Sequence, residues 1–335
     1  MHTDCIKIVT IAISSLLCLP AAYPQSDAPA RIKTQTTLVV VPVSVKDGNG
    51  TLVPDLKRDE FRIFEDGKEQ QISLFSAEAF PLSAVILIND NMPLKSSEQV
   101  QKSLKAIAAS FSSADEAALM TYDQFSQTLM DFTKDNDQLF TQLKRLHLES
   151  EFTGSNSPAT SPTPKINNQQ ISPGVPQING KAPPANNARL DDAMYAASQM
   201  LRDRGRDRRK IIFLVSDGTN SHRNTISTDR VLENLLAADI SVYAIAVGNK
   251  LLREGSGPLK KYAEATGGDY YYSSDSNSLE RLYSALAEQA RNQYTIAFVP
   301  TTPNKSKDYH SIEVRVRRPG LNLIARQGYY STVPH

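Results

Sequence analysis

The chain has 335 residues, 40% of them hydrophobic and 22% charged, which is enough to bury a substantial core and excludes a disordered polymer. Lys plus Arg number 37 and Asp plus Glu 36, so the formal charge of +1 excludes the strong global field of a nucleic-acid or acidic-lipid binder.

The first thirty residues, "MHTDCIKIVTIAISSLLCLPAAYPQSDAPA", place Lys7 before an apolar run from Ile8 to about Leu19, then small residues and Pro. Residues 1–25 read as a secretory signal peptide, cleaved between Ala21 and Ser26, which predicts a periplasmic or secreted protein. The rival reading, a permanent anchor, meets an apolar run too short to span a bilayer comfortably. A lipoprotein would need small residues before Cys18, where Leu16 and Leu17 stand. Cys5 and Cys18 both fall in this segment, so the expected mature chain has no disulfide, thiol nucleophile or thiolate metal site.

From residue 34 to 80 the hydrophobic period is two. "TTLVVVPVSVKDGNGTLV" turns at Asp47-Gly48-Asn49-Gly50, and "EFRIFEDGKEQQISLF" turns at Asp66-Gly67. Both predict antiparallel hairpins with one apolar face.

Residues 82–291 alternate strands with helices. The strand candidates are 84–88, 116–122, 127–132, 210–216, 241–247 and 269–272. The helical windows are 96–111, 136–146, 190–204, 228–238, 258–266 and 278–292. Wholly apolar strands such as "KIIFLVS" suit a sheet buried on both faces, so the pattern predicts an α/β, doubly wound, mostly parallel sheet with helices on both faces. The strand starting at Ala84 is expected at the centre, the one at Gln127 at an antiparallel edge, and Tyr270-Tyr271-Tyr272 in an edge strand. Within this region residues 150–188, rich in Ser, Pro, Asn and Gln, are expected to be a flexible loop.

After Arg291 the two-residue period returns. "QYTIAFVP", "HSIEVRVRR" and "LNLIARQGYYS" predict three strands in 292–332, the last two joined through Pro319-Gly320. Neither terminal block alone can bury its apolar face, so 34–80 and 292–332 are expected to combine into one β-sandwich-like unit.

This order of elements, with "KIIFLVSDGTNS" ending a strand in Asp217-Gly218, resembles a von Willebrand factor type A domain, a Rossmann-like fold. The flanking blocks from 41 to 88 and 293 to 331 resemble an exported bacterial group, the VWFA-related proteins first described from acidobacteria. The resemblance implies a partner-binding or adhesion module. It also implies a metal-ion-dependent adhesion site at the sheet's carboxyl edge, built from a D-x-S-x-S loop, a threonine and an aspartate, holding Mg2+ or another divalent cation.

The expected oxygen donors are largely missing. In the ungapped register the first loop reads Asn89, Asp90, Asn91, Met92, Pro93, so an amide replaces the carboxylate and Pro93 a serine. Shifting by one residue makes Asp90 the first ligand but puts Met92 and Leu94 at the serine positions. In "NNARLDDAMYAA" Ala188 takes the threonine's place, and only Asp217 matches. Hard cations need negative oxygen donors, so the turn reads as a relic in which Asn and Asp cap backbone amides. The alternative keeps a weak cation site on Asn89, Asp90, Asn91 and Asp217, with Thr153 supplying a hydroxyl.

Enzyme readings find no support: there is no G-x-S-x-G elbow, P-loop or dinucleotide fingerprint, and His147, His222 and His310 have no ligand spacing. His222 falls near the site edge but reads as a surface residue. The run "LRDRGRDRRK", Leu201 to Lys210, reads as a solvated helix end. The expected function is a non-enzymatic, exported protein-binding module with metal dependence weak or lost. Its partner is an unknown envelope or extracellular protein, met through Asn89, Asp90, Asn91, Asp217, Gly218 and Thr219. The alternatives are a scaffold docking through its β domain, or a module still binding a cation through Asp90, Asn91 and Asp217.

Overall fold

The computed structural model describes residues 38–150, 165–166, 169–170, 187–205, 207–248, 257–300 and 309–331. The expected signal peptide and Thr153 lie outside them.

The N-terminal strands are β1 (Val39–Lys46), β2 (Phe61–Glu65), β3 (Lys68–Gln70) and β4 (Ile72–Ser76). The α/β region runs β5 (Leu82–Asn89), β6 (Asn91–Met92), α1 (Leu94–Ala109), β7 (Glu116–Tyr122), β8 (Ser126–Thr133), α2 (Asn136–Arg145) and β9 (Glu149–Ser150). It continues with β10 (Lys165–Ile166), β11 (Gln169–Gln170), α3 (Leu190–Arg202), β12 (Arg209–Ser216), α4 (Thr228–Ala237) and β13 (Ile240–Val247). Next come α5 (Pro258–Thr266), β14 (Tyr270–Ser273) and α6 (Ser276–Arg291), and the chain closes with β15 (Tyr294–Phe298), β16 (Tyr309–Val316), β17 (Asn322–Ala325) and β18 (Gly328–Tyr330).

The central sheet has six strands in the order β14-β13-β12-β5-β7-β8. All neighbours are parallel except β7 and β8, which pair antiparallel at the edge. β5 is interior and β14, with its three tyrosines, is the opposite edge, as the patterning predicts. Every residue of β5, β7 and β13 is buried, because helices cover both faces. Ile86, Ile88, Phe213 and Ile245 pack under α1, α2 and α6, with Val100, Leu104, Leu139, Tyr283 and Leu286. Val85, Leu87, Leu214 and Val242 pack under α3, α4 and α5, with Met194, Leu235 and Tyr262.

Strands from the two ends of the chain interleave in two further four-stranded sheets, β17-β1-β15-β4 and β18-β16-β2-β3. β1 pairs antiparallel with both β15 and β17, and β16 with β2. Their inner faces share one core, with Val41, Val43, Ile296 and Phe298 from one sheet and Phe61, Ile63, Ile312 and Tyr329 from the other. Eight of its thirteen buried residues come from the N-terminal block and five from the C-terminal one, so neither block alone closes this core.

Three expectations change in detail. The Asp47–Gly50 turn forms, with Asp47 Oδ1 accepting from Asn49 and Thr51 N–H at 2.9 Å, but beyond it only Leu52 bridges back to Lys46. "LNLIARQGYYS" is two strands, because the chain crosses at Arg326-Gln327 from one sheet to the other. Most of the expected 150–188 loop lies outside the described residues; of those described, β10 pairs antiparallel with β11. The basic run is not a solvated helix end. Arg204 binds Glu116 through two bonds of 2.8 and 2.7 Å, and Arg208 donates to Ser83 Oγ at 3.0 Å and to the Leu82 and Ala114 carbonyls. These cations close the amino edge of the sheet; Lys210 alone caps the helix, donating to the Arg202 carbonyl at 2.9 Å.

Candidate functional site

Parallel strands end together, so β5, β7, β12 and β13 deliver four turns to the carboxyl edge of the sheet, where open α/β folds build their sites. Backbone bonds lace the turns: Asp90 N–H to Tyr122 O at 3.0 Å, Arg189 N–H to Asp123 O at 2.7 Å and Ser221 N–H to Ala188 O at 2.7 Å.

Asn89 and Asp217 meet at the centre. The Asn89 amide donates to Asp217 Oδ1 at 2.9 Å, while its own oxygen accepts the Asn91 N–H at 3.1 Å. Asp217 Oδ1 also accepts the Thr219 N–H at 3.1 Å, and Oδ2 accepts the Thr219 hydroxyl at 2.8 Å. Burial pushes the Asp217 carboxyl above its ordinary value, against these bonds from Thr219 and Asn89. Gly218 holds φ at 78° and donates to Ser216 Oγ, which also bonds the Tyr122 hydroxyl at 2.8 Å. Burial, with the charges of Asp217, Asp90 and Asp191 nearby, pushes the Tyr122 phenol far up, so it stays a neutral strut.

The expected partner residues therefore divide. Asn89 is fully buried and supports Asp217 rather than facing a partner. Asp90, Asn91, Asp217, Gly218 and Thr219 are partly exposed. Met92 and Ala188 belong to the two cores beneath, so their positions are filled by packing rather than by ligands. His222 is exposed.

Sequence reasoning missed four contributors. Asp191, at the start of α3, is buried and accepts from Asn220 at 3.0 Å, Thr228 at 2.8 Å and Tyr262 at 2.6 Å. Asp192 accepts the Thr225 and Ile226 N–H groups at 2.8 Å. Together they pin the 217–228 loop; two adjacent acids opening a helix were the available sign. Phe125, in the β7–β8 turn, is 78% exposed, and Leu94, opening α1, 55%. Both stand on this same edge, with the Arg189 guanidinium 5.9 Å from the Phe125 ring centre.

The donor set does not fit a hard divalent cation. Both oxygens of Asp217 are taken by neutral donors, and Asn89 presents it an N–H rather than an oxygen. Pro93 and Ala188 offer no side-chain donor. One atom points the other way: Oδ1 of Asp123 is buried without a hydrogen-bond partner among the described residues. Yet those residues contain no group of three or more His, Cys, Asp or Glu that could hold a metal.

Residues 165–285 match the family model of the von Willebrand factor type A domain. The matched residues lie within the α/β region, whose helix-flanked, mostly parallel sheet is the fold of such a domain. Solved structures of similar fold include proximal thread matrix protein 1 from the mussel byssus, at 13% identity and a TM-score of 0.43, covering 65% of this chain and 49% of that one. BatB from Bacteroides thetaiotaomicron is 14% identical with a TM-score of 0.39, covering 62% and 98%. A von Willebrand factor type A protein from Catenulispora acidiphila is 8% identical with a TM-score of 0.44, covering 88% and 75%. The chain thus spans about half the length of the mussel protein. No curated protein matches it. Among the described residues no helix is long and apolar enough to cross a membrane.

Proposed function

We propose that this is an exported, non-enzymatic protein-binding module that engages its partner through the carboxyl edge of the type A domain without a divalent cation. The observation that carries this reading is the pair of exposed apolar side chains, Phe125 and Leu94, on the edge that also presents Asp90 and Asp217. Single exposed apolar residues are common, but an aromatic ring beside an arginine on a turn held by backbone bonds is the composition of an interface anchor. The edge is already ordered by Asn89, Asp191 and Asp192, so binding would cost little loop ordering. The N-terminal residues support export, and the poor donor set supports independence from metal.

Phe125→Asp and Leu94→Asp, compared with the native chain in binding to an envelope extract, test this reading. Each is expected to weaken capture of the same partner at least about tenfold, since truncating an interface anchor costs 2 kcal/mol or more by rough measure. Chelation is expected to leave capture unchanged. Undiminished binding by both variants would move the partner surface away from this edge.

A further inference from the structure

The β sandwich carries a basic hollow far from the carboxyl edge in both sequence and chemistry. It is a wide, open hollow of about 520 Å³ lined by Lys57, Arg58, Asp59, Arg62, Glu69 and Arg317, with the buried Phe61 and Ile72 also in its lining. It forms where the 3-10 turn Arg58–Glu60 leads into β2 and where the end of β16 lies alongside, Arg317 N–H bonding the Glu60 carbonyl at 2.9 Å.

Its charges do not cancel. Arg62 is matched by Glu69 in a two-point pair, with Nε to Oε1 at 2.7 Å. That leaves Lys57, Arg58 and Arg317 against Asp59, a surplus of two positive charges in a chain whose whole formal charge is +1. Among the described residues none of those three cations makes an ion pair. Arg58 is nonetheless held in place, one guanidinium nitrogen donating to the Ile72 carbonyl. Uncompensated like charges around a concavity repel, and the low-dielectric wall focuses their field outward.

We propose that this hollow binds a compact polyanion bearing phosphate or carboxylate groups. Arg58 offers its remaining N–H donors from a fixed position, Arg317, just past the end of β16, a second fork, and the exposed Lys57 a point charge. A forked guanidinium suits either oxyanion through two parallel bonds, and the volume suits a small charged group rather than a bare ion.

Pyrophosphate and citrate are the probes, each titrated against the full chain at low salt by calorimetry and by thermal unfolding. Saturable one-site binding is expected from at least one of them. At about ten times its dissociation constant it should raise the unfolding midpoint by about 2–4 °C, and affinity should fall as salt rises. Pyrophosphate alone would assign a phosphate-bearing ligand, citrate alone a carboxylate-bearing one, and both together a site selecting charge density.

The variant Lys57→Glu with Arg317→Glu is expected to bind at least about tenfold more weakly, because two attractive charges become repulsive. Both side chains are exposed and make no ion pair among the described residues, so without ligand the variant should unfold within a few degrees of the native chain. No binding by either probe, or equal binding by the variant, would overturn the proposal.

Discussion

Asp217 lies half-buried with three neutral hydrogen bonds and no basic side chain in ion-pair range among the described residues. Burial raises its carboxyl above the ordinary value, so the folded state favours the protonated acid. The stability this supplies is complete below the unfolded pKa and is lost as pH rises through the folded one. Asp217→Asn should therefore gain on the native chain as pH rises from about 3 to about 8, and differ from it by less than about 1 kcal/mol at neutral pH. Unfolding midpoints across that range check it. A bound cation would reverse the trend, because the carboxylate would then be stabilised by charge.

Sequence located this residue, since an apolar strand ending in Asp-Gly is a local pattern. It could not show that Asn89 faces inward or that Phe125 faces out, because both depend on which turns meet at the edge. Asp191 was overlooked for the same reason: its donors Asn220, Thr228 and Tyr262 are 29 to 71 positions away in the chain.

At the scale of elements, the six strands of the central sheet were legible within a few residues, the interior ones β5, β12 and β13 because each is a short, largely apolar run. The antiparallel edge was also legible, since β7 and β8 follow one another without a helix. The division of β17 from β18 was not, because continuous alternation carries no mark of a change of sheet. Nor was the parallel bridge of β6 with β9, whose partners are separated by more than fifty residues. The turn after β13 depends on Gly248, whose φ is 95° and where an added Cβ would fall 2.1 Å from Ser96 Oγ at the start of α1. Gly248→Ala should destabilise by about 1–3 kcal/mol, from the left-handed backbone and the displaced helix end. Chemical denaturation measures this directly; a neutral result would mean that α1 can retreat freely from the edge.

Across the whole molecule, the sandwich and the type A domain are joined by partly buried polar links. Lys46, at the end of β1, donates to Asp269, just before edge strand β14, at 2.7 Å and to the hydroxyl of Tyr271 within it. Burial pulls the Lys46 ammonium down, but the bonds and charges of Asp269 and Tyr271 outweigh it and hold its pKa above the ordinary value. Arg326 binds Asp239 at 2.7 Å, and Gln327 N–H bonds the Ala265 carbonyl at 3.2 Å. Lys46→Met should cost about 2–3 kcal/mol by leaving Asp269 without its cation, while unfolding remains a single transition. Two separated transitions would show that the two parts fold independently.

The central claim is that the carboxyl edge works without a cation, and a magnesium or manganese titration of unfolding tests it most directly. Binding to the native state at a hundred times the dissociation constant would add about 2.7 kcal/mol, an easily measured shift. The native chain should show none. The variant combining Asn89→Asp, Asn91→Ser, Pro93→Ser and Ala188→Thr restores the missing oxygen donors and should acquire a shift. A clear metal response in the native chain, abolished by Asp217→Asn, would contradict the account.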